Sequence, residues 1–111
     1  MKFHELDTPS LLLDHNIFMN NLAFMQDYAD RNHVALRPHT KTHKSPELAK
    51  IQLEAGACGI AVAKTGEAEI MAAHGLTDIF IANEIVGDQK LRRIRKLAET
   101  IAISFGVDCP E

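Results

Sequence analysis

The segment 35–45, ALRPHTKTHKS, concentrates the residues of this sequence that could do chemistry. Its central eight positions hold three cations, two histidines and no acid: Arg37, His39, Lys41, His43 and Lys44. Like charges this close repel one another, so the cluster favours an anionic ligand bound among them. The whole chain carries a formal net charge of -3 at pH 7, so the positive charge of this segment is local and not a property of the chain.

Lys41 is the candidate nucleophile of the segment. A neutral lysine amine can attack a carbonyl carbon and form a Schiff base, and nearby cations favour the neutral form of the amine. Arg37 and Lys44 are therefore predicted to activate Lys41. The alternative is a solvated surface charge, which is the commonest state of lysine, and the spacing alone does not decide between the two.

His39 and His43 have the HxxxH spacing that would place two imidazoles on one face of a helix, as in some metal sites. Pro38 favours a loop here instead, and the three cations oppose a metal ion. We therefore expect both histidines to hydrogen-bond an anionic ligand or the loop backbone, and we expect no metal at this pair. Thr40 and Thr42 are either donors to a phosphate group or ordinary turn residues.

The composition excludes several classes of protein. With 46% hydrophobic and 24% charged residues, the chain is globular, and its mildly acidic balance argues against a nucleic-acid binder. No apolar run approaches the roughly 18 residues of a membrane helix, and the N-terminal stretch MKFHELDTPS has no apolar core of signal-peptide length. Cys58 and Cys109 lie far apart in no motif, so a reduced, cytoplasmic protein is expected. The motifs GxGxxG, GxxxxGK[ST] and CxxC are absent.

Strands and helices must alternate around this segment. Four short apolar runs predict strands at 34–36, 59–63, 78–82 and 101–105. Capping residues and apolar spacing predict helices at 15–31, from Ser45 to Gly56, from Gly66 to Gly75 and from Asp88 onward. This alternation predicts parallel strands covered on both faces, either in a doubly wound sheet or in a (β/α)8 barrel. A barrel needs roughly 250 residues, so the chain would be about its first half, without an internal domain boundary.

Chemistry in parallel α/β folds gathers where the strands end. Lys41, Lys64, Asn83 and Glu84 follow three of the predicted strands, so they are expected to share one rim. A solvated loop position is the simpler interpretation for the rim charges taken singly.

Two further groups of charged residues are expected to have ordinary roles. Glu67 and Glu69 would complement a helix dipole, and the basic run at 92–96 would be a solvated helix face.

A resemblance to a known family goes further than these patterns. The stretches DTPSLLLD, RPHTKTHKSPELAKIQLEAGACGIAVAKTGEAEIMAAHGLTDIFIANEIVG and GVDCPE resemble D-threonine aldolase and D-serine dehydratase-like enzymes. These enzymes group with alanine racemase among the fold-type III pyridoxal phosphate proteins. The resemblance extends from about Asp7 to Glu111. It implies an eight-stranded α/β barrel followed by a C-terminal β domain, with residues 1–111 as the incomplete N-terminal part of the barrel and the β domain absent.

The same resemblance implies a site. Lys41 matches the lysine that holds pyridoxal 5'-phosphate, while Arg37, His39 and His43 would shape the cofactor pocket. A divalent metal is expected in the complete enzyme, held by a late histidine and a cysteine or aspartate outside this chain. The implied reaction is cleavage of a D-β-hydroxy amino acid, such as D-threonine, to glycine and an aldehyde.

Several alternatives remain open at this point. D-serine dehydration and amino-acid racemisation would use the same cofactor. A truncated chain without turnover, an anion-binding module, or a half-barrel that associates with a second chain would belong to another class. The expected partner is a small D-amino acid, with neither nucleic acid nor membrane, and a homodimer is a candidate assembly.

Overall fold

The computed structural model describes residues 2–108, in which helices alternate with strands. The helices are α1 (His15–Arg31), α2 (Pro46–Glu54), α3 (Thr65–Ala73) and α4 (Asp88–Leu97), with short 3-10 turns at Phe3–Glu5 and Thr40–Thr42. The strands are β1 (Ile60–Val62), β2 (Asp78–Glu84) and β3 (Ala102–Gly106). The end of the GVDCPE stretch, including Cys109, lies outside the described residues, while Cys58 is an exposed free thiol.

The three strands form one parallel sheet in the order β1-β2-β3. Ile60 lies beside Ile79, and Ile79 lies beside Ile103, so the register brings isoleucines together across the sheet. Parallel neighbours need a crossover connection, which α3 provides between β1 and β2 and α4 between β2 and β3. The predicted parallel α/β alternation is therefore confirmed for these three strands.

The core lies between one face of the sheet and helices α2, α3 and α4. Its buried apolar residues are Ala49, Ile60, Val62, Ala68, Met71, Leu76, Ile79, Ile81, Ile85 and Ile94. The opposite face is less covered, because Phe80 is half-buried and Ala82 and Ser104 are exposed. The expectation that both faces are covered is thus not met within residues 2–108. No helix among these residues is long and apolar enough to cross a bilayer.

The predicted strand at 34–36 is wrong in one respect. This segment runs beside β1, since the Leu36 carbonyl accepts from Cys58 N at 2.9 Å and the Pro38 carbonyl accepts from Ala61 N at 2.8 Å. Residues 34–36 form no regular strand, and the pairing with β1 gives one isolated bridge, between His39 and Ala61. Pro38 has no amide N–H to donate, so the ladder is interrupted where it would otherwise continue.

The helix signals in the sequence are confirmed at atomic level. The Asp14 carboxylate accepts from Ile17 N at 3.0 Å and caps α1, while Ser45 Oγ accepts from Leu48 N at 3.3 Å and caps α2. Pro46 occupies the first position of α2, where its missing N–H costs nothing. Gly56, just past the end of α2, has φ of +118°, a conformation that favours glycine.

Candidate active site at the carboxyl edge of the sheet

Residues 39–45, here called the lysine loop, lie beside the carboxyl end of β1. The loop is anchored there by Thr40, which is 1% exposed and donates its hydroxyl hydrogen to the Ala61 carbonyl at 3.2 Å. This internal bond means that the Thr40 hydroxyl belongs to the fold, so it does not serve as a phosphate donor. Thr42 is exposed on the same loop.

Both histidines of the loop bond its own backbone. His39 Nδ1 accepts from Lys41 N at 3.2 Å, and His43 Nδ1 accepts from Ser45 N at 3.0 Å. With Nδ1 accepting, the proton of each neutral ring lies on Nε2. His43 Nε2 is buried and has no hydrogen-bond partner among residues 2–108. The histidines therefore set the shape of the turn that carries Lys41. No group of three His, Cys, Asp or Glu side chains within that range is arranged to hold a metal ion.

Lys41 projects from the loop into solvent. Its side chain is exposed, and within residues 2–108 it makes no ion pair and no side-chain hydrogen bond. An amine without a carboxylate partner can be approached by a carbonyl group without first breaking an ion pair. Among the five cationic and imidazole side chains of the segment, Lys41 is thus the one with neither an acidic partner nor a side-chain hydrogen bond within residues 2–108.

Arg37 occupies the opposite edge of the sheet. Its guanidinium bonds the Asp78 carboxylate through two nitrogens at 2.8 and 3.2 Å, and it reaches the carbonyls of Ile60 and Asp78 at 3.4 Å each. The hydrogen bond to Asp78 raises the pKa of Arg37. Asp78 is the first residue of β2, so this pair closes the amino edge. The placement does not agree with the predicted role of Arg37 in a cofactor pocket beside Lys41.

Lys44 is also paired with an acid. Its Nζ lies 3.6 Å from Glu67 Oε1, and Glu67 Oε2 accepts from Ala63 N at 2.8 Å. Glu67 is only 8% exposed, so its role is wider than the predicted interaction with a helix dipole. The cations of segment 35–45 are therefore not one unpaired cluster in space. Arg37 is paired with Asp78 at the amino edge of the sheet, and Lys44 is paired with Glu67 at the carboxyl edge. Glu67 stands three residues after Lys64, the N-cap of α3, and Lys64 is not a side-chain-capping residue, so no local signal in the sequence marks this contact.

The predicted rim is present around the ends of β1 and β2. Asn83 Nδ2, near the end of β2, donates to the carbonyl of Ala63, just past β1, at 3.4 Å, while Lys64 and Glu84 are exposed. A depression of about 330 Å³ lies between the first turns of α3 and α4 and is lined in part by Lys64, Asn83 and Glu84. An apolar cavity of about 280 Å³ lies elsewhere, between α1 and α2, and none of the candidate chemical groups lines it.

The basic run on α4 is only partly solvated. Arg93 donates two hydrogen bonds to the Glu69 carboxylate of α3 and so joins the two helices. This bond lowers the pKa of Glu69 and raises the pKa of Arg93. The prediction of a fully solvated face is therefore wrong for Arg93, because an acid on the preceding helix, α3, lies within its reach. Arg92 fits the prediction better, with a long contact of 3.8 Å to exposed Asp88.

A family model described as alanine racemase, N-terminal domain, matches residues 13–108. The chain is 52% identical over 103 residues to D-threonine aldolase of Arthrobacter sp, covering 93% of this chain and 27% of that protein. It is 35% identical over 97 residues to 3-hydroxy-D-aspartate aldolase of Paracoccus denitrificans, covering 86% and 25%. It is 47% identical over 77 residues to D-threo-3-hydroxyaspartate dehydratase of Delftia sp., covering 69% and 20%.

Solved structures show the same likeness. The D-threonine aldolase of Filomicrobium marinum superposes with a TM-score of 0.94 at 41% identity, over 96% of this chain and 29% of that chain. The D-threo-3-hydroxyaspartate dehydratase from Delftia sp. HT23 superposes with a TM-score of 0.80 at 40% identity, over 86% and 25%. The chain thus spans less than a third of the length of each of these relatives.

Proposed function

Because the chain belongs to the family of alanine racemase N-terminal domains, we propose that it is the N-terminal part of a pyridoxal phosphate-dependent lyase acting on D-β-hydroxy amino acids. Its fold matches the N-terminal part of the (β/α)8 barrel of this family, and residues 1–111 would be a portion of that single domain. One observation carries the proposal: an exposed lysine without an acidic partner among residues 2–108 stands at the carboxyl edge of a sheet shared with aldolases.

The residues of the lysine loop fit the proposed cofactor. Pyridoxal phosphate, when bound, supplies an aldehyde for an amine to hold and a ring that takes up the electron pair of a broken bond. Lys41 Nζ is accessible and would bond the aldehyde carbon, with loss of one water molecule. His39 and His43 would act on the pocket through the backbone, since each holds an amide of the turn around Lys41. Arg37 is predicted to shape the same pocket, but its bonds to Asp78 at the amino edge give that prediction no support.

The other predictions about the complete enzyme concern features that residues 2–108 do not contain. A divalent metal would bind ligands elsewhere in the complete enzyme and act on the hydroxyl of the substrate. A homodimer, a cytoplasmic location and the absence of nucleic-acid and membrane partners stay predictions.

A second candidate reaction is dehydration. The Delftia relative, named a D-threo-3-hydroxyaspartate dehydratase, matches the chain at 47% identity over 77 residues, which favours this alternative more than racemisation. Both reactions would start from the same lysine. They differ in the bond that breaks afterwards, which is Cα–Cβ in the aldolase and Cβ–O in the dehydratase.

The two reactions are separated by their products. The full-length protein, supplied with pyridoxal phosphate and a divalent metal, is incubated with D-threonine, D-3-hydroxyaspartate and D-serine, and glycine and ammonia are quantified. We expect glycine from D-threonine and none from L-threonine, which serves as the mirror-image control. Production of ammonia without glycine would show that the reaction is the dehydration and not the aldol cleavage. If no D-amino acid gives either product, both candidates are wrong.

A further inference from the structure

We propose that Glu67 is a positioning residue that holds the lysine loop, and with it Lys41, against the carboxyl end of β1. The consequence for Lys41 reactivity rests on the proposed function, whereas the consequence for loop order does not.

Both oxygens of the Glu67 carboxylate are in use. Oε2 accepts from Ala63 N at 2.8 Å, at the end of β1, and Oε1 lies 3.6 Å from Lys44 Nζ, at the end of the lysine loop. A charge that is 8% exposed requires such partners, because it has given up most of its hydration. One buried side chain therefore joins the strand end to the loop.

The backbone of the loop shows why this contact matters for Lys41. Lys44 has φ of +52°, a left-handed conformation that a lysine keeps only when its surroundings hold it. Its amide donates to the Thr40 carbonyl at 2.8 Å, closing a turn that contains Lys41. Thr40 fixes one end of this turn to Ala61, and Glu67 fixes the other end through Lys44. Lys41 thus lies between two anchors, of which Glu67 supplies the second.

Glu69 offers a matched control for Glu67. It lies on the same helix two residues later and pairs with Arg93 of α4, away from the lysine loop. The variants Glu67→Gln and Glu69→Gln each replace one paired carboxylate by an amide. Only the first removes a charge that faces the loop. Glu67→Gln keeps an oxygen that can accept from Ala63 N, so the strand-end bond is preserved while the contact with Lys44 is lost.

Two readouts test the proposal on the full-length protein. The first is hydrogen exchange of the amides at 40–44 without cofactor. The second is the rate of covalent attachment of pyridoxal phosphate, together with the circular dichroism of the bound chromophore per molecule attached. For Glu67→Gln we expect exchange about threefold to fivefold faster, attachment slower by a similar factor, and a weaker dichroic signal. Lys44→Gln should have the same effects, and the double variant should add nothing further. Glu69→Gln should change none of these quantities.

The outcomes separate this inference from the proposed function. Loop exchange that is equal in Glu67→Gln and Glu69→Gln would show that Glu67 does not hold the loop. Additive effects of Glu67→Gln and Lys44→Gln would show that the two residues do not act through each other. If the wild type attaches no cofactor while loop exchange still depends on Glu67, the proposed function fails and the positioning role stands.

Discussion

The amino edge and the carboxyl edge of the sheet receive cations from the same short segment, yet they hold them in different states. At the amino edge, Arg37 is locked by two hydrogen bonds to Asp78 and two to backbone carbonyls. At the carboxyl edge, Lys41 is exposed and unpaired among the described residues. An extended residue advances the chain by about 3.3 Å, and β1 has three residues. The four residues from Arg37 to Lys41 are therefore enough to carry the chain from one edge of the sheet to the other.

The difference shows that a cluster of charge in the sequence need not be a cluster in space. In barrel folds the amino edge serves stability and the carboxyl edge serves chemistry. Changes at the amino edge are therefore expected to alter the free energy of unfolding without altering the reactivity of Lys41. Replacement of the exposed Lys41 is expected to remove that reactivity without altering the free energy of unfolding.

The largest effect on stability is expected at Gly59, on the amino edge. An added Cβ would lie 2.8 Å from the Asp78 carbonyl oxygen and would also clash with the Arg37 guanidinium. Because the backbone cannot yield easily, Gly59→Ala should lower the free energy of unfolding by about 2–3 kcal/mol in denaturant titrations. Gly66→Ala is the control, since its Cβ would meet Arg93 at an ordinary 3.6 Å. Equal losses in both variants would contradict the tight packing of the amino edge.

Arg37→Ala should have the next largest effect. It removes a bidentate bond and leaves the half-buried Asp78 carboxylate unpaired, so we expect a loss of about 1–2 kcal/mol in the free energy of unfolding. Arg37→Lys should recover less than half, because an ammonium cannot form the two-nitrogen fork. Attachment of pyridoxal phosphate to Lys41, measured per folded molecule, should not change. Slower attachment in Arg37→Ala would show that the two edges are coupled.

The smallest effect is expected for the Glu69–Arg93 pair, which is part-exposed and screened by solvent. Since Arg93 lowers the pKa of Glu69 in the folded protein, the pair contributes stability above the unfolded pKa of about 4.3 and loses it as pH falls through the folded pKa. Glu69→Gln should thus be slightly less stable than wild type at pH 7, and the difference should vanish once the pH has fallen below the folded pKa of Glu69. A difference that persists in acid would point to packing rather than charge.

Local signals made most of the fold predictable. Asp14 and Ser45 mark helix starts with side chains that cap them, and α1 ends at the predicted Arg31. The apolar run that begins at Asp78 forms β2, the central strand, which pairs with β1 on one side and β3 on the other. The predicted strand at 34–36 is not regular in the structure. The segment lies beside β1, but Pro38 has no N–H to donate to β1, so the ladder of hydrogen bonds is interrupted.

The site was predictable only in part. The position of Lys41 after the first apolar run marked it for the carboxyl edge, and the structure places it there. The acids that neutralise its neighbours were not visible, because Asp78 lies 41 residues from Arg37 and Glu67 lies 23 from Lys44. Contacts at such separations depend on the register between strands, which periodicity alone does not specify.

The most direct test of the account is to locate the lysine that holds the cofactor. The full-length protein is incubated with pyridoxal phosphate and reduced with borohydride, and its peptides are mapped by mass spectrometry, with Lys41→Arg as the control that keeps the charge. We expect the pyridoxyl group on the peptide containing Lys41 and its absence from the variant. A folded protein that carries the group on another lysine, such as Lys64, with Lys41 unmodified, would contradict the assignment of the carboxyl-edge loop as the reactive site.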